Sequence, residues 1–250
     1  MTSKSKNKTA LPAGLNPKQI PAHIAVILDG NGRWAKSKGL KRLDGHRKGA
    51  EAVDNLLDTL LELQIKFVSL YVFSTENWKR PRTEITGLFK LLDEFITKRE
   101  ERMLQKGIKL HISGDLSRIP AKVRIKIENV QNSTAKGKNL TANFCLNYGS
   151  KDEILRAAML CYQQMQLKKI SRISEKMFSQ NLDTAGLPDI DLLIRTAGEK
   201  RLSNFLLWQS AYAELYFTDT LWPDFSKKDL LAAIVDYQSR IRKFGAIADN

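Results

Sequence analysis

Short apolar runs alternate along this chain with longer stretches in which apolar residues recur every three or four positions. The runs are His23 to Leu28, Phe67 to Phe73, Ile108 to Ile112, Leu140 to Leu146, Leu192 to Arg195 and Glu214 to Phe217. They are short and nearly continuous, as strands buried on both faces are. Between the first two, Ala52, Leu56, Leu57, Leu60 and Leu61 make a helical stripe within Gly45 to Leu63. Ile85, Leu88, Phe89, Leu92, Phe95 and Ile96 repeat the pattern from Thr83 to Gln105, and Gly107 supplies a stop. Pro120 opens a third helix through Ala135, and Asp152 to Leu167 is a fourth. Ser226, with Asp229 three residues on, caps a last helix to about Arg242. Such alternation predicts an α/β fold, a mostly parallel six-stranded sheet with helices on both faces. No internal repeat, linker or composition shift interrupts it, so residues 21–245 read as one domain. Residues 1–20 read as a disordered basic tail and 246–250 as a C-terminal tail.

Composition narrows the partners. The 250 residues are 42% hydrophobic, enough for a substantial core, and contain no apolar stretch long enough to span a bilayer as a helix. Lys4, Lys6, Lys8 and Lys18 mark the start of the chain without the apolar segment of a secretory signal. The net charge of +14, from 41 basic against 27 acidic residues, calls for an anionic partner. Cys145 and Cys161 lack metal-ligand spacing and suit buried thiols of a reducing cytoplasm.

Chemistry-bearing residues collect where strands end. The first strand runs into Asp29-Gly30-Asn31-Gly32-Arg33-Trp34. Glycines allow a sharp turn and close backbone approach, and successive N–H groups in such a turn cradle an anion. A carboxylate beside an anion site is sensible when a divalent cation, here Mg²⁺, bridges the two. Arg42 and His46 lie one helical turn apart and can share a face. The second cluster, Ser74-Thr75-Glu76-Asn77-Trp78-Lys79-Arg80-Pro81, offers neutral donors, a fixed cation and an apolar wall, with Glu84 placed to pair with Arg80. A bland role, capping the coming helix, fits Ser74 to Glu76, although Pro81 puts that helix later. In the third, Arg195, Arg201 and Ser203 make a second diphosphate grip, since guanidinium forks match phosphate oxygens. Glu214 stands in the apolar run Ala211 to Phe217, where a charge needs an ion pair or a metal.

Two anion sites and one carboxylate–metal site suggest transfer between two phosphorylated substrates. No Gly-x-x-x-x-Gly-Lys-[Ser/Thr] occurs, which disfavours a P-loop kinase. Asn31 stands where an aspartyl phosphatase needs its second acid. A nucleic-acid binder would explain the charge but not a carboxylate among glycines and arginines.

Together the clusters resemble the cis-prenyltransferase (Z-type isoprenyl diphosphate synthase) family, especially its bacterial undecaprenyl diphosphate synthases. The matching segments are residues 23–35, Gly45 to Gly49, Ser74 to Pro81, Asn147-Tyr148-Gly149, Asp191 to Thr196, Arg201 to Gln209 and Ala211 to Phe225. The resemblance implies a fold with an apolar tunnel for a growing prenyl chain. It also implies that isopentenyl diphosphate adds in cis to an allylic diphosphate, farnesyl diphosphate being the expected primer, with Mg²⁺. The product would be a long polyprenyl diphosphate of the kind that carries cell-wall glycan; a shorter-chain synthase and a basic anion-binding non-enzyme are the alternatives.

By the same resemblance Asp29 is the catalytic, Mg²⁺-binding aspartate. Gly30, Asn31, Gly32, Arg33, Arg42 and His46 grip the allylic diphosphate, with Trp34 as a wall. Ser74, Thr75, Glu76, Trp78 and Arg80 line the pocket, and Asn77 helps remove the proton. An amide has almost no basicity, so Asn77 is expected to orient a diphosphate oxygen or to relay through His46. Arg195, Arg201, Leu202 and Ser203 would hold isopentenyl diphosphate, and Glu214 would be a second Mg²⁺ ligand at a homodimer interface. A cytoplasmic protein with loose membrane contact and no nucleic-acid partner follows. Four positions depart from the family pattern. Ser150-Lys151 replace Gly-Arg, Ala197 stands where Ser or Gly is common, and Val72 where Ala is common.

Overall fold

In the computed structural model, which describes residues 15–169 and 171–242, six strands form one sheet in the order β3-β4-β2-β1-β5-β6. The strands are β1 (His23–Ile27), β2 (Phe67–Ser74), β3 (Ile108–Ser113), β4 (Leu140–Tyr148), β5 (Leu192–Arg195) and β6 (Glu214–Phe217). All five pairings are parallel, so the sheet is wholly rather than mostly parallel. Every predicted strand is present, and β4 continues two residues beyond the expected Leu146. The helices are α1 (Asn31–Ser37), α2 (Arg42–Glu62), α3 (Arg82–Lys106), α4 (Ala121–Thr134), α5 (Ser150–Lys168), α6 (Glu175–Ser179) and α7 (Lys227–Ser239). Gly107, at φ 64°, ends α3 in the left-handed conformation, and Ser226 caps α7 with Asp229 as expected.

Side chains on a strand alternate between faces, and both faces of this sheet are covered. Ile24, Val26, Val68 and Leu70 point to one side, where they pack with Leu56 and Leu60 of α2, Ile96 of α3, Ile127 of α4 and Ile234 of α7. Each such buried side chain contributes roughly 1.5–3 kcal/mol. Ala25, Ile27, Cys145 and Leu193 point to the other side, against Ile190, Phe205 and Leu206.

That second face also carries a polar thread. Ser113 Oγ donates to Asn143 Oδ1 at 2.9 Å, and Asn143 Nδ2 donates to Ser69 Oγ at 3.0 Å. Ser69 Oγ lies 2.9 Å from His23 Nε2, and His23 Nδ1 lies 2.7 Å from the Pro188 carbonyl. A carbonyl only accepts, so Nδ1 carries the proton and Nε2 accepts from the serine. Burial lowers the His23 pKa and keeps the ring neutral, as this arrangement requires.

Two expectations need correcting. The stretch through residue 20 is not a disordered tail as far as it is described, because Pro17–Gln19 form a 3₁₀ turn. Gln238 on α7 accepts from Asn16 N and donates to the Asn16 and Gln19 carbonyls. Lys4, Lys6 and Lys8, residue 245 and the tail at 246–250 lie outside the described residues. The second correction is α1, a seven-residue helix where the two glycines suggested only a turn.

Candidate active site

Asp29 follows β1 directly, and its own N–H returns to the Ile27 carbonyl at 2.9 Å. Gly30 then takes φ 109°, and a Cβ there would sit 3.0 Å from Leu221 Cδ2 and 3.1 Å from Ala197 Cβ. Glycine is therefore required twice over, for its angle and for its space. The start of α1 packs into α2 at two further glycines. A Cβ on Gly45 would stand 2.0 Å from the Asn31 carbonyl oxygen, and one on Gly49 2.1 Å from Asn31 Oδ1. The four-residue spacing of Gly45 and Gly49 thus makes a bare groove on α2 that seats the Asp29 loop.

Three ends of the sheet converge on this loop. Arg195, at the end of β5 and 4% exposed, donates from Nη2 to Asp29 Oδ2 at 3.0 Å and from Nη1 to Ser203 Oγ at 2.7 Å. It also donates to the Arg201 carbonyl. Arg33 lies 3.7 Å from Asp29 on one side and 3.7 Å from Glu199 on the other, and Glu199 in turn pairs with Arg201 at 2.5 Å. Across the opening, Glu84 gathers the remaining basic groups. Arg42 Nε and Arg80 Nη1 both lie 3.0 Å from its Oε1, and His46 Nε2 lies 3.8 Å away. Burial, with the charges of Arg80 and Arg42, pulls the His46 pKa from its usual 6.5 to about 4, so its imidazole is neutral at pH 7.

These groups rim a cavity of about 880 Å³. Asp29, Gly30, Asn31, Gly32, Arg33, Arg42, His46, Ser74, Glu76, Asn77, Arg80, Arg195 and Ser203 all line it, so residues far apart in the chain meet as expected. Below the charged rim the lining turns apolar, with Val53, Val72, Leu88, Leu92, Phe95 and Phe144. The cavity runs between α2 and α3 over the sheet. Both helices start at the rim, so Val53 lies seven residues, about 10 Å, deeper than His46.

Other expected site residues stand off the cavity. Trp34 is no wall beside it, because four residues after Gly30 its side chain is carried away and its indole N–H donates to Asp224 Oδ1 at 2.8 Å. Trp78 supports the wall from behind, packed on Phe73 and Phe89 with Arg118 4.3 Å over its ring. Thr75, Arg201 and Leu202 do not line the cavity, although the Arg201 carbonyl receives Arg195. Glu214 begins β6 opposite Leu192, three residues or about 10 Å from the edge where Arg195 ends, and pairs with Arg240 at 2.7 Å. Within this chain it does not share an ion with Asp29.

Asn204, to which the sequence alone assigns no role, links the second and third clusters. Its Nδ2 donates to Glu76 at 3.1 Å, while its carbonyl and Oδ1 accept from Ser150 N and Lys151 N at 2.8 and 2.9 Å. Ser150 Oγ in turn accepts from Leu207 N at 2.9 Å. The two contacts to Asn204 use backbone N–H groups that any residue pair would supply, so of the Ser150-Lys151 departure only the Ser150 hydroxyl adds an anchor to this loop. Ala197, Ser203, Asn204 and Leu206 all have positive φ, so backbone strain gathers beside Asp29 and Arg195.

Among the described residues no cluster of three or more potential metal ligands occurs. Asp29 is about a third exposed at the rim of the cavity, where Glu76 is the other lining carboxylate and is held by Asn204. Mg²⁺ retains much of its water and is commonly held by one or two carboxylates plus substrate phosphates, so this donor set fits an ion carried in with a diphosphate.

Residues 27–245 match the family model described as "Putative undecaprenyl diphosphate synthase". An isoprenyl transferase of Leptospira interrogans is 54% identical over 239 residues, covering 94% of this chain and 99% of that protein. One from Aquifex aeolicus is 44% identical over 231 residues, covering 92% and 98%. Among solved structures, lavandulyl diphosphate synthase of Lavandula x intermedia, in complex with dimethylallyl diphosphate, superposes with a TM-score of 0.88 at 33% identity. That match covers 91% of this chain and 99% of the other. A "probable undecaprenyl diphosphate synthase" of Campylobacter jejuni gives 0.76 at 38% identity, covering 90% and 98%. A carboxylate rimmed by arginines, opening on an apolar cavity, thus lies in a chain that belongs to the isoprenyl transferase (undecaprenyl diphosphate synthase) family.

Proposed function

We propose that this prenyltransferase condenses isopentenyl diphosphate units in cis onto an allylic diphosphate, farnesyl diphosphate being the primer, and releases a long polyprenyl diphosphate. Such a product would serve as the lipid-carrier precursor for cell-wall glycan. One observation carries the reading: the cationic rim and the apolar cavity are continuous. A diphosphate headgroup and a hydrocarbon tail need those two environments, joined in that order.

The allylic diphosphate would lie against the Gly30–Gly32 backbone, with Arg42 and Arg80 aimed by Glu84. Isopentenyl diphosphate would meet Arg195 and Ser203, and Arg201 would have to leave Glu199 to reach it. The isopentenyl double bond attacks C1 of the allylic substrate, the C1–O bond breaks with its electron pair leaving on diphosphate, and one proton is then lost to form the new double bond. Arginines preorganised at the leaving oxygens stabilise the charge that develops there. When bound at Asp29, Mg²⁺ would neutralise diphosphate oxygens as a Lewis acid. Asn77 Oδ1 accepts from Ser74 N at 3.0 Å, which leaves its NH₂ to donate to a diphosphate oxygen. A neutral His46, whose Nε2 is buried without a hydrogen bond, is the more basic candidate to accept the proton. An incoming diphosphate offsets the charges of Arg42 and Arg80 and so raises its basicity.

We further propose a homodimer. On α5, Leu155, Met159 and Tyr162 are 71%, 58% and 56% exposed and fall on one stripe, and among the described residues β6 leaves one edge of the sheet unpaired. The basic surface beside the cavity, including Lys36, Lys38 and Lys41, suits loose contact with an anionic membrane in the cytoplasm. No helix among the described residues is long and apolar enough to cross one.

The deciding experiment incubates the purified chain with farnesyl diphosphate, labelled isopentenyl diphosphate and Mg²⁺, then sizes the products with and without chelator. Chelator-sensitive incorporation into long cis-polyprenyl diphosphates is expected. Absence of incorporation, alongside salt-steep DNA binding, would favour the basic anion binder instead.

A further inference from the structure

The deep end of the cavity is closed by more than apolar packing. Phe95 of α3 and Phe144 of β4 both line it, their ring centres 5.8 Å apart. Phe95 lies eleven residues along α3 from Glu84 at the rim, a descent of about 16 Å. Arg99, which does not line the cavity, stands 4.0 Å over the Phe95 ring. The same guanidinium grips both carboxylate oxygens of Asp54 on α2, with Nε at 2.6 Å from Oδ1 and Nη2 on Oδ2.

The clasp continues downward. Arg102 lies 3.4 Å from Asp54 and 2.5 Å from Asp58, and Lys106 lies 2.5 Å from Asp58. Three cations spaced along α3 thus interleave with two acids one turn apart on α2 and hold the lower halves of the helices together. Above them, Ala50 and Val53 of α2 and Leu88 and Leu92 of α3 line open space. Arg99 and Asp54 are 17% and 16% exposed, and a forked, largely desolvated pair is far stiffer than a surface contact.

We propose that Phe95, braced by the Arg99–Asp54 clasp, is the stop that sets the longest hydrocarbon chain the cavity holds. The inference rests on reading the cavity as a prenyl site. A tail that reaches Phe95 cannot push the ring aside, because the guanidinium occupies the space over that ring and is itself tied to α2. Going deeper requires breaking the cation–π contact and parting α2 from α3. Phe95 is the specificity-determining residue, and Asp54 and Arg99 position it.

Linear alkyl diphosphates of stepped length, titrated calorimetrically against the full chain, measure this depth without turnover. Affinity should rise by roughly fourfold per added methylene and level off where the tail meets Phe95. Phe95→Ala should move the break to longer chains by the volume the phenyl group vacates, and Asp54→Asn should move it in the same direction by a smaller step, because it frees the ring without removing it. Asp54→Glu, which keeps the charge, should restore much of the original break. If Asp54→Asn fails to fold, Arg99→Gln tests the same clasp, and Phe95→Leu tests the stop with less loss of packing. An unmoved break in folded Phe95 variants overturns the stop. A break that moves for Phe95→Ala but not for the clasp variants overturns the bracing. Should the wild type bind the series but condense nothing, the proposed reaction falls while the stop stands.

Discussion

Arg195 Nη2 lies 3.0 Å from Asp29 Oδ2, so the end of β5 is tied to the loop after β1 by a guanidinium that also reaches Ser203 at 2.7 Å. A lysine could keep the charge but not three simultaneous contacts. Arg195→Lys should therefore lower kcat/KM for isopentenyl diphosphate by about 10²–10³, the loss typical of removing a preorganised donor. Steady-state kinetics check this, with a thermal melt to confirm the fold. A change under about threefold would show that charge alone suffices at this position.

His46 predicts an acid-labile fold. Its folded pKa of about 4 lies below the usual 6.5, so the unfolded chain binds the proton more readily. The contribution is fully present above pH 6.5 and is lost as pH falls toward 4, a change of about 3 kcal/mol. Burial also lowers the pKa values of His23 and His111, so all three histidines act in the same direction. Urea midpoints measured from pH 7 to pH 4.5 should fall, and His46→Gln should flatten part of that slope. Parallel slopes for the two proteins would exclude His46 as a source.

Gly49 sets a steric prediction with an unusual sign. Alanine for glycine inside an exposed helix gains about 1 kcal/mol. Here the new Cβ would lie 2.1 Å from Asn31 Oδ1 and 2.9 Å from Trp222 Cδ1, so Gly49→Ala should instead cost about 1–3 kcal/mol. Displacing α1 should also raise KM for the allylic diphosphate. Chemical denaturation and kinetics on the same sample test both, and a stabilised variant would contradict the groove.

The stripe on α5 makes the dimer testable. Leu155→Glu combined with Met159→Lys should yield a monomer by sedimentation, with the melting temperature of the isolated fold little changed, since both side chains are largely exposed. Persistence of the dimer would move the interface elsewhere.

Much of this is legible in the sequence. Strands buried on both faces, such as β1 and β5, read as continuous apolar runs, whereas β6, partly exposed at every residue, reads as a strand because Leu215, Tyr216 and Phe217 are themselves apolar. Asp29, Asn77 and Arg195 meet because β1, β2 and β5 end at the same edge. Glu214 opens its strand, as the run Glu214 to Phe217 already places it, so within one chain it stands at the opposite edge of the sheet from Asp29 and pairs with Arg240. The direction of Trp34 is not legible in the sequence, because two glycines mask the short helix α1 and only its phase shows which way residue 34 points. Phe95 and Phe144 belong to the same blind spot, since an apolar residue looks alike in sequence whether it fills the core or faces a cavity.

The polar thread beneath the sheet has a direction, and that decides how it fails. From Ser113 through Asn143 and Ser69 to His23 and Pro188, each partner passes its hydrogen onward. Removing one rung strands a donor above and an acceptor below, so Ser69→Ala should cost about 1–3 kcal/mol. Adding Asn143→Leu should cost less than the sum of the single changes, as a double-mutant cycle would read. Such a cascade couples these positions energetically, so sequence drift among them should occur in concert rather than singly.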